Sequence, residues 1–328
     1  MTVVAADSRC SVLAEQIGEP IAGSAPLAKT WVVLEQSGPY GFKALNESHL
    51  PTEVGNQFAA ATDKSAVTVV LARSVGPHAD VHRPGPHRFW IAHTSPGGVR
   101  MRAGAVDDLR ELLVPDLTEV MERAGRGELP AWGLPTTQPL LLVCTNGKRD
   151  VCCALTGRPL AAALAADPAY ADNVLEASHL GGHRFAPTAL LLPVGMVYGR
   201  LSTEDARHAL DEAQAGRVSA IGSRGRTALA RPFQTADLAV RHAFGITDDG
   251  LDVLRSGQVG KLLPAPLRWD ADGAEESAAV VRHQDGRAWE VPLRREQGDT
   301  PRPESCNKPS VDPTWWTAGE PQSVAAWR

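Results

Sequence analysis

The feature that most constrains this chain is a pair of clusters of metal-binding side chains, separated by one predicted helix and one predicted strand. Five such side chains are present: Cys144, Cys152, Cys153, His179 and His183. The cysteines follow the apolar run Leu140–Val143, and the histidines follow the predicted strand Asn173–Ser178. Thiolates and imidazoles are common ligands of zinc and of iron–sulfur clusters. We therefore expect a fold in which the ends of two neighbouring strands bring both clusters together.

The same order of predicted elements occurs twice along the chain, offset by roughly 100 residues. This order is strand, loop, helix, strand, loop, hairpin and helix. The first copy is predicted from these segments: strand Thr30–Gln36, helix 50–61, strand Ala66–Arg73, hairpin strands Arg88–Ser95 and Val99–Ala103, and helix 106–124. The second copy is predicted from these: strand Pro139–Val143, helix 153–166, strand Asn173–Ser178, hairpin strands Thr188–Leu192 and Met196–Arg200, and helix 203–215. This order predicts an α/β protein made of two tandem thioredoxin-like α/β sandwich halves.

The chain divides into three predicted regions: 1–133, an N-terminal thioredoxin-like half without cluster ligands; 134–232, a thioredoxin-like half with the Cys/His site; and 233–328, a small C-terminal extension. In the extension we predict a helix over Thr235–Phe244 and a hairpin of Ala278–Arg282 with Ala288–Leu293. The prolines at positions 301, 303, 309 and 313 predict extended coil for the tail. A short helix over 8–17 should carry Cys10.

Composition excludes several classes of function. The net charge of −5 gives no basic field for nucleic acid or for an anionic membrane. No apolar run approaches the roughly 20 residues that a membrane-spanning helix needs. The N-terminal residues lack the cationic and apolar regions of a secretory signal. An odd number of cysteines, five, with two of them adjacent, argues against a disulfide framework and favours a reducing cytoplasm.

The position of the cysteines suits a reactive site. They lie where a strand ends and a helix begins, and both the helix N-terminus and the cations Lys148 and Arg149 stabilise thiolates. Gly181 and Gly182 between the histidines predict a loop rather than a regular helix. The residues thus predict a shell of two cysteines and two histidines, and they leave open which two of the three cysteines take part.

Three other interpretations of these residues compete. The cysteines could simply pack in the core. A structural zinc site is a second alternative, although finger-type sites prefer C-x₂₋₄-C and the spacing here is eight or nine. Thiol–disulfide chemistry is the third, but the chain has no C-x-x-C, and adjacent cysteines rarely form a relaxed disulfide.

The motifs resemble those of a known family. C-x₂-G-x-R-D-x₂-C, followed by H-x-G-G-H-R-F-A-P, resembles the sucrase/ferredoxin-like family of thioredoxin-like ferredoxins with bis-histidinyl ligation. The segments GSAPLAKTWVVLEQSGPYG (23–41) and PESCNKP (303–309) are similar to its bacterial members. The resemblance implies a [2Fe-2S] cluster held by Cys144, Cys153, His179 and His183. The family spacing favours Cys153 over its neighbour Cys152. For the "sucrase" half of the name, the sequence offers no defensible pair of carboxylates.

That ligand set implies a redox role. Two ferric ions, two sulfides, two thiolates and two neutral imidazoles sum to zero charge, so the reduction potential should lie above that of plant-type ferredoxins. A bound imidazole also keeps a titratable N–H, which predicts a pH-dependent potential. We therefore expect a one-electron carrier between redox partner proteins, in which the imidazoles can couple a proton to the electron, rather than an enzyme with its own substrate. The alternatives from other classes are a zinc-stabilised interaction protein and a thiol oxidoreductase.

Neighbouring residues have supporting roles in this interpretation. Gly147, Lys148, Arg149 and Cys152 are expected to shape the cysteine loop around the ligands. Cys10 and Cys306 have no spacing that makes them ligands, and ordinary burial is the expected role for both. The counterpart loop of the first half, Gln36–Phe42, contains no ligand residue, which predicts one cluster per chain.

Overall fold

A computed structural model describes residues 8–63, 65–76, 85–254 and 276–324 of the chain. Ten strands of this described part form one mixed sheet, and five more form a second sheet in the C-terminal extension. Helices cover the faces of the large sheet, so the predicted α/β class is confirmed. Among the described helices, none combines the length and the apolar character needed to cross a lipid bilayer.

The first half contains one helix more than its sequence pattern predicts. Its elements are α1 (Cys10–Gln16), β1 (Thr30–Glu35), α2 (Ala44–Glu47), α3 (Thr52–Thr62), β2 (Val67–Ser74), β3 (His87–His93), β4 (Arg100–Val106), α4 (Leu117–Gly125) and β5 (Leu134–Thr136). The single helix predicted over 106–124 is wrong. A 3₁₀ helix at Leu109–Leu112 comes first, and α4 begins only after Pro115, because proline disfavours helical geometry in the residue before it.

The second half follows the predicted order closely. Its elements are β6 (Leu140–Cys144), α5 (Val151–Ala165), β7 (Val174–Ala177), β8 (Ala189–Leu192), β9 (Met196–Tyr198), α6 (Thr203–Gln214) and β10 (Ser223–Arg226). Strand β6 is buried along its whole length, as expected for a strand covered on both faces. The helix α6 begins where Ser202 accepts a hydrogen bond from the backbone N–H of Asp205.

The two halves build the sheet in the same way. The strand order is β10-β9-β8-β6-β7-β2-β1-β3-β4-β5, so each half repeats one arrangement on either side of the β7–β2 junction. In each half the first two strands run parallel, and the first strand also pairs with an antiparallel hairpin. This is the connectivity of a thioredoxin-like sandwich, found twice. The division of the chain at residues 133 and 232 stays a prediction.

Alternate residues of β6 point into different cores. Leu141 and Val143 join the core beneath α5 and α6. Leu142 and Cys144 point to the opposite face, into a core that both halves share through Val33 of β1. This alternation follows from the period of two along a strand, and it places Cys144 on the face where α1 and the C-terminal tail also lie.

The C-terminal extension is more ordered than its sequence predicts. Its elements are α7 (Arg231–Phe244), β11 (Leu251–Leu254), β12 (Glu276–His283), β13 (Ala288–Gln297), β14 (Arg302–Pro303), β15 (Ser310–Val311), β16 (Thr314–Ala318) and β17 (Gln322–Val324). The predicted helix and hairpin are present, but the predicted coil is wrong, since β16 and β17 both pair with β13. The run Thr314–Ala318 holds two tryptophans, which favour strands, and the flanking prolines lie outside its hydrogen-bonded register.

Candidate metal centre

Two loops at the same edge of the large sheet form the candidate site. The first begins at Cys144, the last residue of β6, and ends where Asp150 caps helix α5 by accepting a hydrogen bond from the backbone N–H of Cys152 at 2.9 Å. Cys152 and Cys153 therefore occupy the first turn of α5. Since successive helical residues are rotated by about 100°, their two thiols point in different directions.

The second loop follows β7, which pairs in parallel with β6. Gly181 and Gly182 adopt φ angles of +74° and +73°, a left-handed geometry that other residues adopt only at a cost. The two glycines reverse the chain so that the rings of His179 and His183 stack, with centroids 4.7 Å apart and planes inclined by 25°. His183 opens a short 3₁₀ helix that ends at Phe185.

The structure brings the four predicted ligands together. The Sγ atom of Cys153 lies 3.2 Å from Nδ1 of His183, and Cys144 contacts both Cys153 and His179. Cys144 and Cys153 are 1% and 0% exposed, whereas His179 is partly exposed. The thiols and His183 are thus buried, and His179 lies on the solvent side of the site.

Proton sharing among these groups sets their charge. The hydrogen bond with Cys153, helped by the nearby His179, holds the pKa of Cys144 well below its ordinary value against the effect of burial. The same contact, together with burial, raises the pKa of Cys153 well above its ordinary value. Burial and then the charge of His179 lower the pKa of His183 to about 4. The His183 imidazole is therefore neutral at pH 7, which is the form that binds metals.

One ring nitrogen of the site has no hydrogen-bond partner among the described residues. Nδ1 of His179 is buried, and in the part of the chain that the structure describes it makes no hydrogen bond. A buried polar atom without a partner costs about 1–3 kcal/mol, and an imidazole nitrogen is a good ligand for iron or zinc. Two buried thiols, a neutral buried imidazole and this orphaned nitrogen therefore fit a metal centre.

The expected supporting residues surround the cysteine loop in different ways. Gly147 and Lys148 are exposed and line a cleft of about 600 Å³ between the halves. Arg149 lies over the ring of Phe42 at 4.4 Å, so the counterpart loop of the first half packs against the cysteine loop. Cys152 points away from the histidines.

Arg224 is a buried residue beside the histidine loop that the sequence did not predict. Its fully buried guanidinium donates to the carbonyl of Gly181 at 2.9 Å and to Oγ of Ser24 at 3.1 Å, and it lies over Phe185. Burial lowers its pKa to about 9, so the side chain stays charged at pH 7. It fixes the histidine loop and adds a positive charge behind it. Its position in a polar strand with the sequence SRGR gave no signal of burial.

Cys10 and Cys306, for which ordinary burial was expected, lie beside Cys152. A hydrogen bond from Cys10 lowers the pKa of Cys152 to about 6, while burial raises the pKa of Cys306 to about 11. Asp150 also belongs to this group, with Oδ2 3.6 Å from Sγ of Cys10. The sequence contained no signal for this convergence, because the residues come from opposite ends of the chain.

Comparison with known proteins agrees with this geometry. A family model described as "Sucrase/ferredoxin-like" matches residues 21–225, which is more than half of the chain and includes both loops of the candidate site. Neither the curated proteins nor the solved structures gave a significant match. The match, on a fold that presents the Cys and His loops side by side, shows that the chain belongs to the sucrase/ferredoxin-like family.

Proposed function

We propose that this protein is a one-electron carrier that holds a [2Fe-2S] cluster through Cys144, Cys153, His179 and His183. The observation that carries the proposal is the meeting of two buried thiols and two imidazoles, one of which has a buried nitrogen without a hydrogen-bond partner among the described residues. When bound, such a cluster supplies a one-electron redox centre.

The chain's own residues tune that centre through charge. Two thiolates and two neutral imidazoles bring two negative charges fewer than four thiolates would. The charged guanidinium of Arg224 interacts favourably with Cys153 and Cys144, and a buried cation stabilises a more negative, reduced site. Both effects favour a potential above that of a ferredoxin with four cysteine ligands.

The exposure of the ligands supports electron exchange with partner proteins through the side of the site where the histidines lie. Cys144 and Cys153 are shut off from water by the shared core, whereas His179 is partly exposed. An imidazole that binds iron through one nitrogen keeps an N–H on the other, so this side can also exchange a proton. We infer that redox partner proteins, both donor and acceptor, dock against the histidine loop.

Cysteine chemistry bears on the compartment and on the competing functions. All five cysteines are free thiols, which supports a reducing cytoplasm. Zinc at the same four residues would make the protein a non-redox interaction module, and disulfide exchange would make it a thiol oxidoreductase. Among the described thiols, Cys144 and Cys153 lack the surface access that disulfide exchange with another protein requires.

Purification without oxygen tests the proposal. We expect two iron atoms and two acid-labile sulfides per chain, a red-brown colour, and loss of all three in Cys144→Ser. Zinc must be measured in the same samples, because only iron with sulfide identifies the cluster. A colourless wild-type protein without sulfide, under conditions that load other iron–sulfur proteins, contradicts the proposal.

A further inference from the structure

A second group of sulfur atoms lies next to the candidate cluster site and is separate from it. Cys10 is the first residue of α1, Cys152 is the second residue of α5, and Cys306 lies between β14 and β15. Their Sγ atoms are 3.6 Å apart for Cys10 and Cys152, 3.4 Å for Cys152 and Cys306, and 3.6 Å for Cys306 and Cys10. Three distant segments thus present a nearly equilateral triangle of thiols.

The triangle fits one metal ion better than a disulfide. A disulfide needs two sulfurs at about 2.05 Å and leaves the third thiol over, and the near-equal edges single out no pair. Three thiolates on one zinc ion, at about 2.3 Å with tetrahedral angles, are about 3.8 Å apart. The edges of 3.4–3.6 Å need to widen by only a few tenths of an ångström to reach that geometry.

Asp150 offers the fourth ligand. One of its oxygens, together with the three sulfurs, lies in a group of atoms within 4.8 Å of one another. The carboxylate is 0% exposed, and in the described part of the chain no lysine or arginine forms an ion pair with it. It accepts hydrogen bonds from the backbone N–H groups of Cys152 and Cys306 and from Ser305. A buried anion that only neutral donors hold in place favours a cation beside it.

We propose that Cys10, Cys152, Cys306 and Asp150 bind a single zinc ion. Thiolates select soft or borderline ions, and a carboxylate as fourth ligand favours zinc over copper(I). Such an ion joins the N-terminal helix and the C-terminal tail to the first turn of α5, where Cys153 also lies. It is a structural clip that ties both ends of the chain to this helix.

Metal analysis of single-site variants tests this site. Full-chain protein, produced with zinc and iron supplied and purified without oxygen, should hold one zinc ion per chain after exposure to a chelator. Cys306→Ala should lower the zinc content at least tenfold and leave iron and sulfide unchanged. Because Cys306 is partly exposed, this variant should still fold, and Cys10→Ala provides an independent second test. Cys144→Ser is the matched control, and it should lose iron and sulfide while it keeps zinc.

The two proposals fail in different ways. Zinc that is lost in Cys306→Ala, in a protein that never contains sulfide, supports the zinc site and contradicts the cluster. Equal zinc in the wild type and in both variants, or no zinc in any of them, overturns the zinc site whatever the iron content. A wild-type mass that shows loss of two hydrogens, traced to a bond between two of these three cysteines under reducing conditions, also overturns it. Cys144→Ser produced with cobalt(II) in place of zinc should give the intense visible bands of a tetrahedral thiolate site, and their absence counts against the proposal.

Discussion

Cys152 and Cys153 are neighbours in one helical turn, yet they belong to two different sulfur sites. The thiol of Cys153 meets His183 and Cys144. The thiol of Cys152 meets two other thiols, and its backbone N–H donates to the carboxylate of Asp150. One group combines thiols with imidazoles, and the other combines thiols with a carboxylate. A rotation of about 100° around the helix thus directs two adjacent thiols into separate groups, one at the proposed cluster and one at the proposed zinc ion.

The two sites also differ in where their residues come from. All four residues of the candidate cluster site lie inside the segment that the family model matches, whereas Cys10 and Cys306 lie outside it. The cluster site is therefore a property of the duplicated fold. The thiol triangle depends on the segments added at each end, which lie against the same face of the sheet.

Substitution of Cys152 or Cys153 should give the largest change in metal content. Cys153→Ser should abolish the bound iron and sulfide, because it removes the thiol that contacts His183. Cys152→Ser should keep iron and sulfide and lose zinc, because its sulfur contacts Cys10 and Cys306. Iron, zinc and sulfide analysis of both proteins checks the pair. The reverse pattern for iron would move the cluster ligand to Cys152.

Replacement of one histidine by cysteine tests how an imidazole and a thiolate ligand differ in their effect on the reduction potential. In His179→Cys a thiolate replaces a neutral ligand, so the cluster should assemble with one more negative charge and a potential lower by roughly 100–300 mV. The dependence of the potential on pH should shrink, since one titrating imidazole is lost. Redox titration of both proteins between pH 6 and 10 measures both effects. An unchanged potential and pH slope would show that His179 is not a ligand.

Much of the candidate cluster site was predictable from the sequence. Parallel strands end at the same edge of a sheet, so the loops after Leu140–Val143 and Asn173–Ser178 had to meet. The order of strands and helices along both halves of the chain followed from apolar runs and turn residues. These signals come from residues close together in the sequence, and pairing of neighbouring strands then brings the two loops together.

The parts that were missed depend on contacts between distant residues. Cys10 and Cys306 are 296 positions apart, and no periodicity relates them. Arg224 gave no sequence signal of burial, although hydrogen bonds to the carbonyl of Gly181 and to Ser24 hold it in the interior. The strand β16 was hidden by the prolines around it. Only the break before α4 had a local signal, Pro115, which should have ended the predicted helix.

Glu19 links the two sites, and its removal tests whether they are coupled. Its buried carboxylate accepts hydrogen bonds from Arg184, next to His183, and from Arg302, on the tail that carries Cys306. Glu19→Gln removes the charged partner of the buried Arg302 and of the partly exposed Arg184, and it should lower the free energy of unfolding by about 3–5 kcal/mol. Urea unfolding, with iron and zinc measured in the same samples, checks this.

An exposed ion pair provides the control for Glu19. Glu53 pairs with Arg110 at the surface, where each side chain is 52% exposed, and Glu53→Gln should cost less than about 1 kcal/mol. If the two variants unfold at the same urea concentration, the buried pair does not hold the tail to the histidine loop. Loss of zinc alone in Glu19→Gln would show that the carboxylate supports the tail more than the histidines.

Substitution of two glycines with similar φ angles distinguishes the cost of a strained backbone from the effect of disturbing the histidine loop. Gly182 in the histidine loop and Gly216 after α6 have φ angles of +73° and +72°. A Cβ at Gly216 meets no atom within 4 Å, whereas a Cβ at Gly182 overlaps the guanidinium of Arg224. Gly216→Ala should therefore cost only the strain of a left-handed residue, about 1 kcal/mol. Gly182→Ala should cost roughly 1–3 kcal/mol more, because Arg224 is buried and hydrogen-bonded and cannot easily move aside.

Urea unfolding gives both values, and iron analysis should show loss of cluster from Gly182→Ala alone. Equal stability and equal iron in the two variants would mean that Arg224 does not position the histidine loop.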